Sequence, residues 1–268
     1  MRPLILIVNF FILYLSMHAQ IEKPQFVVLI CSYNNAWFYQ ANLLSALMQT
    51  YDNFRIIYID DCSNDKTGEL VAEFIRRIQP TQKITLIRNK MRKYKMRNLY
   101  EVIHSLCKND EIIIELDGDD FLNGCDVLKK IALLYQENDI LLTYGSYINF
   151  PYTNKINTEK LPRDISQNNA IRTYKWVTSH LKTFKASLFK SIPREHLQVD
   201  GTFVQMTSDL AYMFSMIELA KDKIMHCSEI LYVYNTATSL NDDKVDATLQ
   251  SNFEDKIRKK KPLTGKNH

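Results

Sequence analysis

The sequence predicts an α/β fold, an open and mostly parallel sheet with helices on its faces. From Pro24 onward, short continuous apolar runs alternate with longer segments of helical periodicity. Polar and acidic residues gather where three of those apolar runs end, the edge at which such sheets bind ligands. The low content of 6 glycines and 7 prolines argues against a turn-rich all-β architecture.

Each element follows from its own stretch. Residues 25–33, QFVVLICSY, are apolar without alternation, as in a parallel strand covered on both faces. Residues 35–51 set Leu43, Leu44, Leu47 and Met48 on one helical stripe. NFRIIYIDD (53–61) is a second strand ending in two acids. Residues 63–78 open with the capping candidates Ser63 and Asn64, then repeat apolar residues at Leu70, Val71, Phe74, Ile75 and Ile78. KITLIR (83–88) is a third strand, and 97–108 is a helix turning Leu99, Ile103 and Leu106 inward. EIIIELD (111–117) is a fourth strand that delivers an acid cluster. Beyond it the reading is a helix over 125–138, a strand over 139–150 and a loop over 151–170. A basic amphipathic helix over 178–192, a helix over 208–220 and one or two strands over 223–235 follow. From Ser251 the chain reads as a polar, basic tail. With no internal repeat or low-complexity linker, a single domain over 21–250 is expected.

Composition excludes some classes. Among 268 residues, 46% are hydrophobic and 24% charged, as in ordinary globular proteins. A net charge of +4 does not point to nucleic acid. The first twenty residues, MRPLILIVNFFILYLSMHAQ, resemble a signal peptide with a cut after Ala19; an uncleaved membrane anchor or a buried first helix are the alternatives. Their apolar run is short beside the about 20 residues a spanning helix needs. Five cysteines without a CxxC pair read instead as reduced, packed thiols. The compartments these features allow are secreted or periplasmic, membrane-anchored, or cytoplasmic and membrane-associated.

The stretch at 115–122, ELDGDDFL, carries the chemistry. Carboxylates this crowded repel one another unless water or a cation separates them. A calcium loop of the EF-hand kind is excluded, since counting from Asp117 its fifth position is Phe121 and its twelfth Leu128. An aspartyl-phosphate phosphatase would place its acids after the first strand, where Ser32 and Tyr33 stand. HExxH, GxSxG and GxxxxGK[ST] do not occur. What remains is a divalent cation, Mn²⁺ or Mg²⁺, held by one or two carboxylates and completed by substrate phosphates.

Four segments, VVLICSYNN, IIYIDDCSNDKT, RNLYEVIHSL and ELDGDDFL, in this order and spacing, resemble the nucleotide-binding half of family-2 glycosyltransferases of the GT-A fold. The resemblance covers residues 25–149. It implies that Ser32 and Tyr33 lie against the base and ribose of a nucleotide-sugar, and that Asp61 contacts the base. The DxD motif falls on Asp117 and Asp119, the first toward ribose or a metal-bound water, the second ligating the metal. Gly118 is expected to let the backbone turn tightly between them, and Asp120 matches a further acid often found there. Cys62 departs from the family, which has glycine at that position. Arg97 and Asn98 match an Arg-Asn pair in the basic stretch RNKMRKYKMRN, close to the diphosphate, although most of those charges read as a solvated face.

The resemblance also asks for a base at the start of a downstream helix, and Asp209 stands there. An acid in a first turn is equally a helix cap or dipole partner; Glu195, Asp200 and Glu218 are rivals. His180 matches a histidine of the acceptor half that could touch diphosphate or metal, although a lone histidine is more often satisfied structurally. Trp37, Trp176, Tyr144 and Tyr147 could stack on sugar or simply pack. The implied activity is metal-dependent, inverting transfer from a nucleotide-sugar, UDP-sugar first, to a hydroxyl on a glycan, lipid-linked or protein acceptor. Residues 21–150 would form the donor half, 151–250 the acceptor half, and 251–268 a tail lying on anionic membrane, over the site, or free. The competing readings are a sugar nucleotidyltransferase, which lacks its Gly-rich loop here, and an exported carbohydrate-binding protein that kept this fold without catalysis.

Overall fold

A computed structural model describes residues 23–239 and 242–264, so the expected leader or anchor over 1–20 lies outside the described residues. The apolar run Phe26–Ser32 forms the central strand β1. It is flanked in parallel by β2 (Phe54–Asp60) and β4 (Ile112–Asp117), with Ser32 beside Asp60 and Cys31 beside Asp117. Beyond β2 lies β3 (Ile84–Arg88), also parallel. Alternate residues of β1 feed two cores. Phe26, Val28 and Ile30 pack with α1 (Tyr39–Leu47), α2 (Thr67–Ile78) and α4 (Val127–Glu137), while Val27 and Leu29 face α3 (Tyr94–Leu106) and the later helices. Burial on both faces is why this strand lacks alternation.

The sheet continues into the second half of the chain. Its order is β3-β2-β1-β4-β8-β6-β11-β5, where β5 is Phe121–Leu122, β6 Leu142–Phe150, β8 Thr183–Lys185 and β11 Ile224–Asn235; a short β7 (Lys155–Ile156) pairs with β6. Strands β6 and β11 are parallel to each other, and β8 runs antiparallel between β4 and β6. A small hairpin joins β9 (Gln198–Val199) to β10 (Thr202–Phe203). The helices of this half are α5 (Arg163–Gln167), α6 (Ala186–Lys190), α7 (Ser208–Ala220), α8 (Asp242–Val245) and α9 (Ala247–Arg258). Helix α7 is buried nearly all round, consistent with its apolar sequence. Among the described residues no helix is long and apolar enough to cross a membrane.

Several expectations change, among them Leu106, which is exposed at the end of α3 and not turned inward. The helix read over 178–192 is a loop, the strand β8 and the short α6, because Leu181 and Phe184 are claimed by the sheet core. The first part of the polar tail, residues 251–258, belongs to helix α9, which buries Ile257. Residues 151–170 are not all loop, since they hold β7 and α5. Leu44 and Met48 point outward, leaving Leu43 and Ala46 as the buried face of α1.

The loops at the carboxyl edge of the sheet are stitched together. Ser63 and Asn64 do not cap α2. Ser63 accepts from the Asn34 amide at 2.9 Å, and the Asn64 amide donates to the Asn34 side chain at 2.9 Å. Asp65 accepts from the amides of Ala36 and Thr67. Cys62 has φ 64, the left-handed region, which accounts for the family's glycine at this position.

Candidate active site

The acids after β4 are held by backbone and by struts. A Cβ on Gly118 would lie 2.5 Å from the Ser32 Cβ and 2.7 Å from its Cα, so the glycine is required by close approach of β1. Fully buried Asn42 of α1 donates to the carbonyls of Asp117 at 2.8 Å and Asp120 at 2.7 Å. Asp120 is itself buried, accepting from the Tyr232 hydroxyl at 2.6 Å and the Asn235 amide at 2.7 Å. Both of its oxygens therefore tie the end of β4 to the end of β11. Burial and its two acidic neighbours push its carboxyl well up.

Asp117 and Asp119 open into a cleft of about 430 Å³, whose lining also includes Tyr33, His180 and Asp209. Burial, with Asp117 beside it, pushes Asp119 up to about 6. A cation beside Asp119 would favour its ionised form against that burial. Among the described residues no three His, Cys, Asp or Glu side chains sit together as a complete ion cage. A divalent cation would therefore take its remaining ligands from a phosphate-bearing substrate, its usual habit for Mn²⁺ or Mg²⁺, and the carboxylate oxygens present suit it.

A chain of alternating charges runs from this corner to the opposite wall. Asp117 pairs with Lys95 of α3 at 2.5 Å, and Lys95 with Glu115 at 2.6 Å. Glu115 meets Lys182 at 3.5 Å, and Lys182 meets Asp209 at 3.2 Å. Glu115 and Lys182 are buried, and the Tyr212 hydroxyl also donates to Glu115. Buried charges persist only when paired in this way. At Asp209 burial alone would raise the carboxyl, but Lys182 and Lys95 overcome it and hold it well below the usual carboxylate range. Just before Asp209, Thr207 has φ 52, a strained conformation for a β-branched residue, and it lines the cleft.

His180 lies 4.4 Å from the Tyr232 ring in a near-parallel stack, with Tyr147 edge-on at 5.7 Å. Burial, then the cation of Lys182, pushes its imidazole well below its ordinary value. Among the described residues its buried Nδ1 has no hydrogen-bond partner. On the other side of the cleft the Arg92 guanidinium stacks 3.5 Å from the centre of the Tyr33 ring.

The structure thus gathers Tyr33, Asp117, Asp119, Asp120, His180 and Asp209 at one cleft. It does not bring Ser32, Asp61 or Arg97 into its lining. The Ser32 hydroxyl accepts from Tyr58 at 2.9 Å and Asn35 at 3.1 Å beneath Gly118. Asp61 spends both oxygens on the start of α3, accepting from Asn89 and from the amides of Lys93 and Tyr94. Arg97 is exposed and pairs with Glu101 at 2.7 Å. Among the rival bases, Glu218 is buried against Arg172, Asp200 is exposed against Lys256, and neither they nor Glu195 line the cleft. Trp37 is 93% exposed, and Tyr144 is core. Sequence reasoning missed Lys95, Glu115, Lys182 and Arg92, and also Gln250 and Glu254 of α9, which line the cleft. Two signals were available, a glutamate inside an isoleucine strand and the basic stretch RNKMRKYKMRN, which holds Arg92 and Lys95.

An α/β sheet of this order, with a carboxylate pair, a stacked tyrosine and an opposing half-buried acid at its carboxyl edge, has an architecture of the GT-A kind. The chain belongs to glycosyl transferase family 2, whose family model matches residues 27–195. An uncharacterized glycosyltransferase of Haemophilus influenzae is 28% identical over 126 residues, 47% of the present chain and 37% of that protein. The chain thus matches well under half of that relative's length. Among solved structures, Staphylococcus aureus TarS 1–349 in complex with UDP-GlcNAc superposes with a TM-score of 0.58 at 16% identity, covering 80% of this chain and 59% of that one. The mannosyltransferase PcManGT of Pyrobaculum calidifontis, in complex with GDP-Man and Mn²⁺, superposes with a TM-score of 0.55 at 18% identity, covering 79% and 56%. These likenesses establish the GT-A fold.

Proposed function

We propose that this chain is a metal-dependent glycosyltransferase that moves a sugar from a nucleotide-sugar, a UDP-sugar first, to an acceptor hydroxyl with inversion. One observation carries the reading: Asp209, from a helix beyond the family match, faces the same cleft as Asp117 and Asp119. Supporting it, structures of the same fold are in complex with UDP-GlcNAc or with GDP-Man and Mn²⁺. Asp119, with Asp117 beside it, would hold Mn²⁺ or Mg²⁺ on the donor diphosphate. The ion would neutralise charge developing on the leaving group.

The chain's own residues do the rest. Tyr33, backed by Arg92, offers a face for the base or ribose. Lys95 reaches the cleft beside Asp117, where it adds positive charge near the diphosphate. Asp209 takes the proton of the acceptor hydroxyl as that oxygen bonds to the anomeric carbon and the nucleoside diphosphate departs. Because Lys182 and Lys95 keep Asp209 ionised, it is always ready to accept, yet it is a weak base.

The test is a thermal-shift screen of uridine and guanosine diphosphates with and without Mn²⁺, followed by donor turnover in Asp119→Asn and Asp209→Asn. A metal-dependent nucleotide shift, lost in Asp119→Asn, is expected. Turnover falling about 100-fold or more in Asp209→Asn, with nucleotide binding retained, is expected for a general base. No shift with any nucleotide would remove the proposal.

A further inference from the structure

Beside the donor cleft lies a second cavity of about 230 Å³, and Trp176 lines both. The wall between them is one segment thick: Val177 and Ser179 line the groove, while His180 lines the cleft. Tyr147 lines the groove and touches His180 and Tyr234, both at the cleft, with ring centroids 5.7 and 5.5 Å apart. The rest of the lining is Ile156 and a polar set, Asn157, Thr158 and the pair Glu159–Lys175 at 2.5 Å.

We infer that this groove takes a saccharide, the terminal sugar of the acceptor, and presents its hydroxyl across Trp176 toward Asp209. The inference rests on reading the adjoining cleft as the donor site. Aromatic surface with a few fixed polar groups is what an orienting small-molecule site requires. A pyranose meets it with an apolar C–H face for the ring of Trp176 or Tyr147 and with hydroxyls for Asn157, Ser179 and Glu159. An acyl chain would leave those polar groups desolvated without partners, which is costly. A second phosphate-bearing group would find Lys175, but that ammonium already pairs with Glu159.

The composition supplies a direct probe. The chain has 2 tryptophans, Trp37 and Trp176, so Trp37→Phe leaves Trp176 as the only indole. In this variant, titration with the methyl glycosides of glucose, galactose, mannose and N-acetylglucosamine is expected to change the emission saturably for at least one sugar. Adding Asn157→Ala, an exposed position, should weaken that binding roughly tenfold. Adding Tyr147→Ala should weaken it further. The Mn²⁺-dependent thermal shift with nucleoside diphosphate should persist in Asn157→Ala. No saturable response to any glycoside would overturn the inference. So would a response that survives both substitutions, or one that hexanediol reproduces. Failure of the nucleotide shift alone would strike the donor reading instead, since the glycoside titration reports on Trp176 whether or not a nucleotide binds.

Discussion

Gly118 and Ser32 are two residues in one space, with β1 and the turn after β4 pressed together. A methyl at this position meets backbone that cannot swing away. Gly118→Ala should therefore cost about 1–3 kcal/mol, read by urea denaturation, and displace Asp117 and Asp119 together. Lys182 acts at the opposite wall. With its ammonium in place Asp209 is held well below the usual carboxylate range; without it, one of the cations that offset burial is lost and the carboxyl titrates higher. In Lys182→Met the acid limb of donor turnover should move toward neutral pH, whereas Lys182→Arg should leave it near wild type. Stability carries the same sign: the contribution of a depressed carboxyl is present above its unfolded value and lost as pH falls. An acid limb unmoved by Lys182→Met would show that Lys182 is not what keeps Asp209 ionised.

Among the elements, α9 does the least expected work. It buries Ile257, sets the Arg258 guanidinium 5.1 Å from the Phe214 ring and receives a hydrogen bond from Arg172 on the Ile257 carbonyl. The same helix presents Gln250 and Glu254 to the cleft. Ile257→Ala should cost about 2–5 kcal/mol in chemical denaturation. Because the anchor and the lining share one helix, nucleotide affinity should fall with it. Strand β8 matters for a different reason. By entering antiparallel between β4 and β6 it carries Lys182 into the interior beside Glu115, so a residue read as part of a basic helix face becomes a buried counter-ion.

At the scale of the molecule, one sheet crosses both halves, and its two cores each draw residues from the first and second halves of the chain. The expected donor and acceptor halves therefore share their packing. Calorimetry should show one unfolding transition in which the calorimetric and van't Hoff enthalpies agree. Two separated transitions would mean that the halves fold as independent units.

Much of this was legible in the residues. The parallel strands were readable because hydrophobicity and period are local properties, and three polar strand ends followed directly from them. Asp117, Asp119 and Tyr33 were readable as candidates because each follows a strand at the ligand-binding edge, and Asp209 because the family resemblance asks for an acid at the start of a downstream helix. The tertiary structure alone decided which polar groups are free for a ligand. Asp61 is spent on the start of α3, Ser32 is wedged under Gly118, and Arg97 faces solvent, while Lys95 and Lys182 turn inward. These outcomes depend on which distant elements pack against each other, and the burial that forces charges to pair is a property of that packing.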